Sequence, residues 1–224
     1  MGRRLSPLLA GIGLVGALLW FVLGGSRPIA ASAPDTAPIA ADLDARIRET
    51  LAGVQARADT LAQLPRLGVA VATDERTVRD LTGDELAFRT RPGEHIEIAQ
   101  IARQNGQDGA AHTLLRLPDD KLPLAMASLG PHLMIAGGRL QVVVTVAVTP
   151  RDRADELRGA LAVAQAPDLT PFAQRLEALG LSGRLEVGGQ SAALDGGAAP
   201  DGKAAGSAPL ASAAPEAVTL AFVG

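Results

Sequence analysis

Residues 139–149, RLQVVVTVAVT, follow the dipeptide Gly137-Gly138 and form the strongest strand pattern in the chain. β-Branched side chains fit a pleated surface, and paired glycines supply the backbone of a hairpin turn. The preceding HLMIA (His132–Ala136) and LPLAMASL (122–129) are shorter strand candidates. Further upstream, AHTLLRL (Ala111–Leu117) alternates, with His112, Leu114 and Arg116 expected on one face. EHIEIAQIAR (Glu94–Arg103) alternates at Ile96 and Ile98, then changes phase at Ile101, which predicts a bulge. QNGQDG joins these two strands through the turn dipeptides Asn105-Gly106 and Asp108-Gly109. Downstream, GALAVAQA (Gly159–Ala166), GRLEVGG (Gly183–Gly189) and the closing AVTLAFVG (Ala217–Gly224) read as strands. The last lacks a polar tail, as an edge strand or a continuing chain would.

Helical patterns lie mainly before these strands. From Ala41 to Gln63 the apolar residues Leu43, Ile47, Leu51, Val54, Ala58 and Leu61 recur every three or four positions. Asp42 with Arg46 and Asp44 with Arg48 are spaced for i,i+4 ion pairs, and Pro65 ends the helix. LGVAVAT (Leu67–Thr73) leans to helix and continues into DERTVRDL (74–81). Thr82 and Glu85 have capping-box spacing for a short helix through Phe88. Thr149-Pro150 starts a charged helical turn over RDRADELR (Arg151–Arg158). Thr170-Pro171 opens a helix that stops at Gly180, with Phe172, Leu176 and Leu179 on one face. This order predicts an α+β fold with a long helix, short helices and a mainly antiparallel sheet.

The N-terminus decides location. Leu5–Gly25 is an uncharged run of the length that spans a bilayer, preceded by Arg3 and Arg4. The glycines Gly11, Gly13 and Gly16 inside it have dinucleotide-fingerprint spacing, but no strand precedes them, and Pro28, Pro34 and Pro38 follow. The expected order is therefore a cytoplasmic tip (1–4), a transmembrane anchor (5–25), a linker (26–40) and a periplasmic domain (41–189). A low-complexity linker (190–217) and a terminal strand (218–224) complete it. AASA (Ala30–Ala33) would suit signal cleavage, yet the apolar run is longer than a signal peptide needs. The expected location is the bacterial inner membrane, single-pass, with the N-terminus inside.

Composition excludes several functions. The chain has 224 residues, no cysteine, 2% aromatics and net charge -3. Disulfides, thiolate metal sites, base-stacking platforms and a basic nucleic-acid footprint are all missing. The phosphate-loop spacing in GAAPDGKA (Gly197–Ala204) ends in alanine where a hydroxyl is required. Ser191 lacks the second glycine of a nucleophile elbow, and His95, His112 and His132 share no ligand spacing. No catalytic set, metal or cofactor is expected. Asp42, Asp44, Asp119, Asp120, Asp155 and Glu156 read as surface charge. Arg91, His95 and Arg116 are the candidates for a site, because converging cations hold an anionic ligand through bidentate contacts.

A membrane span, a long helix and strands leading into LRGALAVAQAPDLTPFAQRLEAL (Leu157–Leu179) resemble a bacterial Cache-type (PAS-like) extracytoplasmic sensor domain. The resemblance covers about Ala41–Gly189 and rests on Gly159, Leu161 and Val163 followed by Asp168-Leu169. It implies a small-ligand pocket on the sheet and a signal passed across the membrane. With so short a cytoplasmic tip, the resemblance implies output through a partner protein, a homodimer or a longer receptor. The same layout also fits a bitopic assembly scaffold of a pilus or type II secretion machine.

Overall fold

The computed structural model describes residues 35–224 apart from 105–106, 119–123, 125–127, 150–156, 198, 203 and 211–214. The predicted anchor, tip and most of the first linker lie outside the described residues, as do residues 151–156 of the predicted charged turn. Within the described residues no helix is long and apolar enough to cross a membrane. Thr36–Gly224 forms one compact unit.

Helix α1 runs Ala37–Ala62, four residues earlier than the apolar stripe predicts, because Pro38 fits the first helical turn. Leu43, Ile47, Val54, Ala58 and Leu61 are buried along it. Asp44 pairs with Arg48 as spaced, at 2.9 Å. Arg46 turns instead to Glu49, and Asp42 reaches Arg175 of a distant helix at 2.7 Å. Tertiary packing thus brings Asp42 an arginine from another helix in place of the one on its own.

Helix α2 (Pro65–Ala70) and helix α3 (Glu75–Asp84) are separate, not continuous. The break falls at Asp74, whose carboxylate accepts the Thr77 backbone N–H at 3.0 Å and so caps α3. Thr82, expected as a cap, lies inside α3 and donates its hydroxyl to the Arg79 carbonyl. Only a 3-10 turn, Leu86–Phe88, follows.

The main sheet contains β1 (Glu94–Gln104), β2 (Gln107–Leu117), β3 (Gly130–Ala136), β4 (Arg139–Val148) and β5 (Leu157–Gln165). All pairs are antiparallel, in the spatial order β2-β1-β5-β4-β3. The bulges lie on β2 rather than β1. Ile98 faces Leu115 while Ala99 faces Thr113, so Leu114 is the extra residue. Ile101 keeps the phase of Ala99 on the second face of the sheet, which is also covered, and so it looked out of register. The same bulge parts His112 from Arg116. Arg116 faces Glu97, whereas His112 faces Gln100 on the other side.

One face of this sheet packs against α1 through Ile96, Ile98, Val142, Val144, Leu161 and Val163. Arg57 of α1 meets Glu94 there at 3.0 Å, with both side chains largely buried. Gly159, first of the Gly-x-Leu-x-Val positions, lies on the same face. A Cβ on it would sit 2.8 Å from the Val148 carbonyl and 3.0 Å from Val71. Glycine is required by that approach, not by its dihedrals.

Helix α4 (Thr170–Glu177) leads to a second sheet of β6 (Ser182–Val187), β7 (Gln190–Ala193), β8 (Ala204–Leu210) and β9 (Val218–Val223). Its order is β7-β6-β9-β8. This corrects two expectations. The stretch 190–217 is not one linker, since it supplies two strands. The closing strand is not an edge, since β9 lies between β6 and β8 with both faces buried from Leu220 to Val223. Leu185, Leu220 and Phe222 join the same core as α1.

Candidate functional site

The second face of the main sheet is the unusual one. On β5, the residues opposite Leu161 and Val163 are Ala160, Ala162 and Ala164, all fully buried. Register lays out their surroundings. In one cross-strand row Arg116, Glu97, Ala162, Thr145 and Gly130 follow from β2 to β3. The adjacent row is His95, Ala164, Val143 and His132. With strands about 4.8 Å apart, His95 and His132 stand at the ends of a floor about 14 Å wide. Gln141 and Met134 form the next pair on the β3–β4 hairpin.

The floor is small and its rim is polar. Glu97, His132, Gln141 and Thr145 are all buried. Glu97 Oε1 accepts the Thr113 hydroxyl at 2.6 Å and Arg116 Nη2 at 3.0 Å, while Oε2 accepts the Leu124 backbone N–H at 2.8 Å. Leu124 in turn belongs to one buried cluster with Ala99, Ile101, Val143 and the three alanines. The carboxylate therefore clamps Leu124 over the sheet and neutralises Arg116. Leu124, part of a strand candidate, is not in a strand.

Of the three candidates Arg91, His95 and Arg116, the last two share one face of the sheet. Arg91 is exposed ahead of β1, and its backbone N–H donates to Glu94. His95 and Arg116 share the alanine-bearing face, and Arg116 is engaged by Glu97. Arg116 also borders a groove of about 980 Å³ outside β2, with Arg79, Arg89 and Thr90. In that groove Arg79 is held by Glu75. No group of three or more acidic or histidine side chains placed to hold a metal occurs among the described residues.

Sequence reasoning missed Glu97, Gln141 and Thr145 and set His132 aside. Their signal was available. Each is an isolated polar residue within a largely apolar strand, where an ordinary surface face would be polar throughout. The alternation of alanine with leucine and valine in β5 was the other clue.

Asp168, in the Asp-Leu step before α4, has its carboxyl held below the usual aspartate range. The Thr170 hydroxyl is the main cause, followed by the Thr170 backbone N–H, with Arg46 adding attraction. Its place is structural, at the start of the helix.

No family model matches the chain, and no curated protein matches it. Among solved structures it is similar to the ligand-binding domain of the Pseudomonas aeruginosa PAO1 amino acid chemoreceptor PctC in complex with GABA. That similarity has 14% identity over 82% of this chain and 93% of the other, with a TM-score of 0.43.

Proposed function

We propose that this chain is a membrane-anchored extracytoplasmic sensory domain of the Cache (PAS-like) kind, which binds a small molecule and is not an enzyme. The ligand lies on the alanine-floored face of the main sheet. Three successive same-face alanines, ringed by buried polar side chains, support this reading. A sheet face covered only for stability would carry larger residues, because each methylene removed from water contributes about 0.8 kcal/mol. Glu97 is engaged by three structural donors, which suits a clamp and not a general base. The uncharged run at Leu5–Gly25 with Arg3 and Arg4 supports the anchor. Output passes to a partner protein or to a module of a longer receptor.

The test is a thermal-shift screen of the full chain in detergent micelles against small metabolites, with NAD as a control. A ligand at a hundredfold excess over its dissociation constant adds about 2.7 kcal/mol of stability. A specific stabilisation that disappears in a cooperatively melting Ala162→Leu variant is expected. A flat response from a well-folded dimer would instead favour the assembly scaffold, and a response unchanged by Ala162→Leu would move the ligand off this face.

A further inference from the structure

Two side chains on this face stand apart from the rest. His132 and Gln141 are each only 5% exposed. Both ring nitrogens of His132 and Oε1 of Gln141 are buried without a hydrogen-bond partner among the described residues. Buried polar groups are nearly always partnered, so such groups call for a reason. On the same face the Glu97 carboxylate is fully engaged, while Arg116, held by Glu97 through Nη2, keeps Nε buried without a partner among the described residues.

The backbone that carries them is regular. His132 faces Val143 and Gln141 faces Met134 in an unbroken antiparallel ladder. The outer edge of the hairpin is fixed too, because the Leu133 backbone N–H donates to Glu216 at 3.0 Å. The two side chains are diagonal neighbours on one face, with Cα atoms about 7–8 Å apart and side chains able to reach a shared guest.

We propose that His132 and Gln141 are the recognition pair of the ligand face and select a small uncharged molecule with a carboxamide-type edge. This rests on the ligand-binding reading above. The Gln141 oxygen requires an N–H or O–H donor, and a neutral imidazole offers one donor and one acceptor. A planar amide supplies both functions side by side. The nearby charges Glu97 and Arg116 neutralise each other at 3.0 Å, so among the described residues of this face they leave no net counter-charge for an ionic guest. Val143 and Ala164, between the two histidines, belong to the buried apolar cluster that Leu124 covers, so a short aliphatic stem would take the place of part of that cover. The guest is thus uncharged and not the anion that Arg91, His95 and Arg116 lead one to expect.

The experiment uses three probes of nearly equal size: propionamide, propionate and propylammonium. The full chain in micelles, labelled with ¹³C/¹⁵N-histidine, gives ring signals for three histidines. His132→Asn assigns the one of interest. Propionamide is expected to shift the His132 ring saturably, and the two charged probes at least about tenfold more weakly. Gln141→Leu, with its melting temperature retained, should weaken propionamide about tenfold, the loss expected for one buried hydrogen bond. Propionate binding at His132 as well as propionamide does would overturn the uncharged class. Silence of His132 toward all three probes would overturn the pair. The metabolite screen read in Ala162→Leu reports separately on whether the face binds at all.

Discussion

Replacing Glu97 with glutamine tests the clamp that builds the site. The substitution keeps the shape of the side chain but turns one acceptor oxygen into a donor. If the amide nitrogen takes the Oε2 position, it meets the Leu124 N–H donor to donor. If it takes the Oε1 position, the Thr113 hydroxyl can reverse and accept, yet Arg116 loses its acceptor. One contact and the compensating charge are lost either way. A hydrogen bond to a charged group contributes about 1.5–3 kcal/mol, and breaking a buried ion pair costs about 3–5 kcal/mol. The Arg116 side chain remains 36% exposed, so water recovers part of that loss. The expected cost is about 2–3 kcal/mol, or a fall in melting temperature of roughly 5–10 °C for a unit of this size. Denaturant unfolding measures the stability, and amide hydrogen exchange at Leu124 should accelerate with it. Stability within about 0.5 kcal/mol of the parent, with Leu124 exchange unchanged, would refute the clamp.

Two further outcomes check the frame around the site. Gly159→Ala places a methyl against a backbone carbonyl that cannot yield, and should cost about 1–3 kcal/mol in chemical denaturation. Gly83→Ala, in α3 with nothing within 4 Å of the new methyl, should instead gain up to about 1 kcal/mol; equal effects would discredit the packing account. The lowered native pKa of Asp168 stabilises the fold above the unfolded aspartate value near about 3.9, and that contribution is lost as pH falls through the native value. Asp168→Asn should therefore lower the melting temperature at pH 7 and converge on the parent in acid; a gap that persists to pH 2 would show that charge is not involved.

Much of the skeleton was legible because it is local. The 3.6-residue stripe from Leu43 to Leu61 needs only helix geometry to be read. Gly137-Gly138 and Gly180 adopt the positive dihedrals that turns and helix ends require, so their positions mark boundaries directly. The Asp74 cap was equally local, but the apolar Leu67–Val71 run before it obscured the break between α2 and α3. β8 could not be read at all. AAGSAPL has little strand propensity, and its pairing to β9 comes from backbone hydrogen bonds that carry no side-chain signature. Pro209 is tolerated there because β8 is an edge.

Sequence by itself determined the secondary-structure class, the strand periods, and the absence of cysteine chemistry and of a basic footprint. Those properties depend on composition and on neighbours a few residues apart. Tertiary structure alone decided which partner each strand found, and hence what each face holds. A single extra residue in β2 set Arg116 against Glu97 and turned His112 away. Antiparallel register then brought His95, Ala164, Val143 and His132 into one row from four separate strands. A strand's alternation specifies two faces but not what covers them, so only the folded sheet put Ala160, Ala162 and Ala164 beneath Leu124.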